Sequence, residues 1–485
     1  MMTMRLIHSS VLLSLGVLVA CDAYPILSVD PETFEVRQTA TANAMFPLVQ
    51  ELEVIASSPG QLAYTVHGKV AAGDIHSPLF TVSKTDVFTV IGLYPDHDNH
   101  VTVEYYSEDG ELHGSQEITI SRGVSLIEMP AIEIVESVKG DRARLFLTAH
   151  RVVGKPVVID QFGDLRWYMD LAGSAGKGLQ QARNGNILFT DSEQVFEVSL
   201  TGEILRTYRP PSPYIGIHHD IHETDSGDLL LTVSSEDLPT LEDVIVLMDR
   251  DLAQVTRVWD LGVSIPRNYQ LIKDTVDWLH VNAVTFDERD QSLVISGQRR
   301  GLYKVSWDNE LMWILSDAQG FDSGVPLLTA DQAFWGQHDI QIDEENNVYY
   351  VFDNGLGRNY TGANPFSRGV KFSVDEQAMT STVLDEYGTA YPEYFSPIIS
   401  GIDYDSGGGV LLNFGSIGYD FNYVDSLDFL GGSIIKPDPE YGAAWVEYNA
   451  AGAVVMHLRF SQQLGNGLDP GIYRARYVDL FKPLR

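Results

Sequence analysis

Asp339–Asp353 reads DIQIDEENNVYYVFD: a polar start, a turn rich in Asp, Glu and Asn, then an apolar strand. Turn residues between two short arms mark a β-hairpin. The pattern recurs as LQQARNGNILFTD at Leu179–Asp191, DIHETDSGDLLLTV at Asp220–Val233, NAVTFDERDQSLVISG at Asn282–Gly297 and GIDYDSGGGVLLNFGS at Gly401–Ser416. Several repeats are followed by another strand pair, as at Val244–Leu261 and Gly301–Leu315. Strand, hairpin and strand at intervals of roughly 40–60 residues are the signature of propeller blades. One more blade can be assembled from both ends of this region. Ala143–Ala149 and Pro156–Leu171 precede the first repeat, and Ile472–Phe481 follows the last. A C-terminal strand that completes the first blade would lock the ring and remove its open edges. Residues 140–485 therefore read as a six-bladed β-propeller, and the long inserts leave room for a seventh or eighth blade.

The region ahead of the propeller is also β. Runs such as QLAYTV at Gln61–Val66 and HVTVEYY at His100–Tyr106 alternate with period two between turn signals. Residues 28–135 read as an N-terminal β-sandwich of immunoglobulin or fibronectin type, so the fold class is all-β. Residues 1–20 differ. One arginine, Arg5, precedes an apolar run too short to span a bilayer, as in a secretory signal. The run ends Leu18-Val-Ala-Cys21, which looks like a bacterial lipobox. Cys21 is thus the expected lipidation site, and residues 21–27 the anchor and linker. This predicts a periplasmic protein lipid-anchored to a bacterial membrane, or one on the cell surface. Asp22 resembles an inner-membrane retention signal.

Cys21 is the only cysteine among 485 residues. No intramolecular disulfide can form, so a packed core must stabilise the fold. Lys plus Arg number 32 against 67 Asp plus Glu, for a net charge of −35 at pH 7. That balance argues against a nucleic-acid partner, which requires a basic footprint.

His219 and His338 stand at the same distance before their hairpin turns, in His218-His219-Asp220 and Gln337-His338-Asp339. In the repeat between them that place is Asn282, and His280 lies two residues earlier. Two residues are one strand period, so His280 and Asn282 share a face if the chain is extended there. Inner strands of propeller blades all start near the central channel. His219, His280 and His338 are therefore expected to converge at one end of it. His218 and Asp220 are expected to point away, because strand neighbours face opposite sides. Two chemistries suit three imidazoles: a His₃ metal site, or nucleophilic catalysis by one histidine with the others as acid and stabiliser. Spacing alone does not choose between them.

Several ordered motifs carry a resemblance. They are Asp277-Trp-Leu-His280-Val-Asn282, Gln337-His338-Asp339 with Phe352-Asp-Asn354-Gly355, Ser367-Arg368, His218-His219-Asp220 and Tyr473-Arg-Ala. Together they resemble the bacterial arylsulfate sulfotransferases over most of 143–485, and the β-module occupies the place of that family's N-terminal domain. The resemblance implies a cofactor-free, metal-free ping-pong transfer, independent of a nucleotide sulfate donor. A sulfuryl group would move from an aryl sulfate donor to a histidine, and then to a phenolic acceptor. In that scheme His338 is the nucleophile, His280 the general acid and base, and His219 the residue that helps hold the sulfuryl oxygens. Asn282 is a supporting donor. Trp278, Trp335, Phe334 and Tyr214 are candidate walls for the aryl ring. A homodimer is left open.

The family also places an arginine within a Ser-Ser-Arg sequence that binds the sulfuryl group. Here the register reads Ser296-Gly297-Gln298-Arg299. Gln298 occupies the arginine's place, and Arg299 lies one residue late. A slip of one residue in a strand turns the side chain to the other face. A bulge at Gly297 would restore its direction. Otherwise Gln298 offers hydrogen bonds without charge. Two other readings stand beside transfer: a metal-assisted propeller hydrolase using the three histidines, and a non-catalytic envelope binding protein, which Gln298 favours.

Overall fold

The computed structural model describes residues 33–137, 143–150, 154–171, 176–267, 274–299, 301–316, 321–356, 366–417, 420–421, 434–435, 440–461 and 471–482. The signal segment, Cys21 and the 21–27 linker lie outside the described residues.

Alternation builds the N-terminal module. Gln50–Ala56 and Gly60–Val66 alternate buried and less buried positions along their length. Each therefore offers one face to a core. Gln50–Ala56 pairs with Phe34–Ala42 and Thr85–Val90; Gly60–Val66 pairs with His97–Tyr106, which in turn pairs with Leu112–Arg122. The two sheets enclose Leu52, Val54, Leu62, Val90, Val101 and Val103 as a sandwich. The same core continues into the first propeller sheets through Trp167, Phe189 and Leu480. Arg166 ties the two regions together. Its guanidinium donates to Gly92 O, Gly73 O and Tyr94 Oη, each at 2.9 Å, and pairs with Asp160 at 3.0 Å.

Propeller strands read differently because they are covered on both faces. Leu229–Ser235, Val281–Asp287 and Val348–Asp353 are buried at every position. Six four- or five-stranded sheets of up-and-down form occur among the described residues. A cavity of about 210 Å³ on their common axis is lined by Gln180, His222, Val284, Gln341, Asp403 and Arg476, one from the inner strand of each sheet. The fold is a β-propeller behind an immunoglobulin-like domain.

The ring closes at two places. Ile472–Tyr477 pairs with Leu145–His150 and forms the inner strand of the first sheet. Ile132–Ser137 pairs with Val454–Ser461 and forms the outer strand of the last. The sequence reading ended the sandwich at residue 135, inside this second strand. Only its distant partner assigns the segment to the propeller.

Candidate active site

Each of the three histidines stands where the chain enters an inner strand. His219 precedes Ile221–Glu223, His280 precedes Val281–Asp287, and His338 opens His338–Asp343. The acid after two of them turns the other way, into the ring. Asp220 accepts Val284 N–H at 2.9 Å, and Asp339 accepts Ile402 N–H at 3.0 Å, each from the next sheet. The closing strand binds both. Arg474 pairs with Asp220 and donates to Asn282 O at 2.7 Å; Arg476 clasps Asp339 with two bonds of 2.6 Å. His-Asp thus places an imidazole at the channel end and a carboxylate in the floor beneath it. Three site residues have left-handed backbones: Glu242 at φ 56°, His280 at 52° and Asp339 at 60°. Such conformations cost about 1–3 kcal/mol and persist where surrounding contacts over-determine them.

His280 lies between carboxylates. Its Nδ1 is 2.8 Å from Asp277 Oδ2 and 2.9 Å from Glu242 Oε2. Burial opposes its charge, but these two partners outweigh burial and raise its pKa to about 9. It is a cation at neutral pH. Its ring centroid is 4.8 Å from that of His219. His219 is held well below its usual pKa, by burial and then by the charge on His280. His218 Nδ1 is 3.0 Å from His219 Nδ1, and burial pushes the His218 pKa down to about 4.

His338 has the opposite setting. Its Nδ1 is 2.9 Å from Asn354 Oδ1. The Asn354 amide donates to Ser396 O at 2.7 Å and to Ile399 O at 2.9 Å. Two carbonyl partners orient the amide, so the oxygen faces the imidazole and Nδ1 carries the hydrogen. The Nε2 lone pair is free to attack. Burial drives the His338 pKa down to about 3; the Asn354 bond opposes this, and the charges on His280 and Arg474 reinforce it. Around these rings His218 Nε2, Asn282 Oδ1, Tyr473 Oη and Arg474 Nε are buried with no hydrogen-bond partner among the described residues. Burial also raises the Tyr473 pKa, which keeps its hydroxyl a donor. One neutral imidazole, one imidazolium and unpaired polar atoms suit transfer of a small oxyanionic group.

Residues 132–456 match the model of the family described as Arylsulfotransferase (ASST). The chain belongs to the arylsulfotransferase family. Residues 40–123 match that family's Ig-like domain. The chain is 22% identical to the arylsulfate sulfotransferase AssT of Lelliottia amnigena and 21% identical to that of Escherichia coli. Each match covers 76% of this chain and 83% of the relative. Among solved structures, the Dos1 propeller is 10% identical over 85% of this chain and 89% of that one, with a TM-score of 0.34.

Within this family member the residues singled out from sequence separate. His219 and His280 are in ring contact, and the charge on His280 acts on His338. Asn282 does not share an extended face with His280, whose backbone is left-handed. Its amide donates instead to Gln337 O at 2.7 Å, beside His338. Gln298 and Arg299 lie in the turn after Ser292–Gly297, so strand alternation does not apply to them. Gly297 is no bulge; the register shift lies on the partner strand, between Val281 and Ala283. Gly297 is small because a Cβ there would sit 2.6 Å from Leu279 Cδ1. The Gln298 backbone donates to His280 O at 3.0 Å. Trp278 is no wall of the pocket. It is 2% exposed in the core, and its indole donates to Asp243 at 2.6 Å. Phe334 likewise packs on Phe372. Trp335 is half-buried three residues before His338, and its backbone is held by Asp353 and Leu356.

The structure adds Glu242 and His218. No motif surrounds Glu242. His218 was set aside on strand alternation, but residues 216–220 lie between strands and do not alternate. Metal-type donors cluster as His218, His219 and Glu242, and as Glu242, Asp277 and His280, with ligand atoms within 4.8 Å of one another. Neither group contains His338, so the set of His219, His280 and His338 expected for a metal is not the one assembled. In the second group Asp277 Oδ2 and Glu242 Oε2 face His280 Nδ1 at 2.8 and 2.9 Å, and the group lies beside the Arg299 guanidinium, whose charge opposes a divalent cation.

Proposed function

We propose that the protein transfers a sulfuryl group from an aryl sulfate to a phenol through a sulfated His338. The observation that carries this reading is the contrast in partners of two histidines in one site: two carboxylates within 2.9 Å of His280 Nδ1, and a neutral amide oxygen 2.9 Å from His338 Nδ1. His338 Nε2 attacks sulfur and the bond from sulfur to the aryl oxygen breaks. His280, as the imidazolium, gives its Nε2 proton to the departing phenolate and keeps its Nδ1 proton on Asp277 and Glu242. A phenol then enters and gives its proton back to His280. Its oxygen attacks sulfur, and His338 leaves with its lone pair. No proton is gained or lost over the cycle. A pKa of about 9 suits exchange with phenols, whose ordinary value is near 10. His219 and the Tyr473 hydroxyl are the proposed partners of the sulfuryl oxygens.

The test is release of 4-nitrophenol from 4-nitrophenyl sulfate, with and without added phenol. Release that requires phenol and vanishes in His338→Ala supports the reading. Release that is indifferent to phenol but abolished by a chelator points to metal-assisted hydrolysis instead. We also propose that Cys21 carries a lipid that holds the protein on the periplasmic face of a membrane. Incorporation of labelled palmitate, lost in Cys21→Ser, would support this; equal labelling of the variant would refute it.

A further inference from the structure

We propose that Arg299 does not bind the sulfuryl group but is a positioning residue that acts on His280 through Asp277. The inference rests on the transfer reading above. A single atom, Asp277 Oδ2, lies 2.8 Å from Arg299 Nη2 and 2.8 Å from His280 Nδ1. The guanidinium also faces Asp274 Oδ2 at 3.7 Å. Asp274 in turn shapes the loop, since its Oδ1 accepts the N–H groups of Val276 and Asp277 at 2.9 Å each. Arg299 therefore closes the 274–280 loop from outside, and its side chain is 6% exposed.

The arrangement has a chemical consequence. Asp277 and Glu242 are two acids beside one imidazole, and Asp274 stands behind Arg299. An Asp277 Oδ2 fixed by the Arg299 guanidinium keeps the acceptor of His280 Nδ1 in place, and with it the imidazole ring that must point Nε2 at the leaving oxygen. The Nη2 end of the guanidinium is committed to these two carboxylates, Asp277 and Asp274. In this arrangement the charge of Arg299 acts one step removed from the sulfuryl group, through Asp277 and His280.

The test compares Arg299→Gln, Asp277→Asn and the double variant with the wild-type protein. Two quantities are read: kcat for phenol-dependent release from 4-nitrophenyl sulfate, and the dissociation constant of the unreactive analogue 4-nitrobenzenesulfonate. We expect Arg299→Gln to lower kcat about 10- to 100-fold, the range for partners that orient a reacting group. The sulfonate should bind within about threefold of wild type, and Arg299→Lys should recover part of the loss through one N–H contact. The double variant should be no slower than Asp277→Asn alone, because both substitutions remove one pathway. A sulfonate affinity that falls about 100-fold in Arg299→Gln, or single-variant losses that multiply in the double variant, would overturn the inference. Folding of each variant is checked by its thermal transition. If folded wild-type protein shows neither phenol-dependent release nor sulfonate binding, the transfer reading itself fails, and this inference with it.

Discussion

His280 and His338 are the same residue at the same end of one channel, yet they stand in opposite charge states. Both are buried, and burial by itself lowers the pKa of either. Two carboxylates overturn that effect at His280. At His338 the partner is a neutral amide, which sets the tautomer and leaves the ring uncharged. Hydrogen bonding to an ionised acceptor is what divides the proposed acid from the proposed nucleophile. One site can thereby run both halves of a transfer near neutral pH.

The most severe way to break this contrast is His338→Ala. It removes the proposed nucleophile and leaves His280 with Asp277 and Glu242 intact. We expect phenol-dependent release to fall at least about 1000-fold in a folded protein, read as 4-nitrophenol absorbance. Next in size is the floor that holds both rings. Burial opposes the charge on Asp339, but Arg476 and Arg474 outweigh it and hold its pKa at about 2. Asp339→Asn would leave Arg476 buried without its counter-ion, and denaturant unfolding should show a loss of about 3–5 kcal/mol. The wild-type contribution follows the depressed pKa. It is present above about pH 4 and fades as pH falls through about 2.

Asn354→Ala tests the neutral side of the comparison. Loss of the acceptor frees the tautomer of His338, and kcat should fall about 10- to 100-fold with the alkaline limb of the pH profile unmoved. Glu242→Gln tests the charged side and has the smallest expected effect at pH 7. In the wild type, kcat/KM for the donor should be level from about pH 5 to 8 and fall above about 9, as His280 loses its proton. Removing one of the carboxylates that favour the charged ring should move that limb toward neutrality. A limb that stays near 9 would mean that Asp277 alone sets the state of His280.

Much of the architecture is legible in the chain because it is local. A hairpin needs its turn residues and its apolar arm within about fifteen positions, and each of the five repeats carries both. The closing strand is legible because an unpaired inner edge demands a partner. The opposed directions of the histidines and the following acids are those that period two predicts, although His219 and Asp220 lie between strands and Asp339 has a left-handed backbone. The same argument fails where no strand exists, at His218 and in the turn holding Gln298 and Arg299. It fails again for Trp278, because an aromatic near a histidine reads the same whether it lines a pocket or fills the core.

The amino-acid sequence by itself determined the repeat, the closure of the ring and the identity of the three histidines that share its end. These follow from backbone periodicity and turn chemistry, which act over a few residues. Only the tertiary structure decided what each histidine is. Glu242 reaches His280 across 38 positions, Asn354 reaches His338 across 16, and Arg299 reaches Asp277 across 22. Protonation depends on charges within a few ångströms in space, and distance along the chain does not enter Coulomb's law.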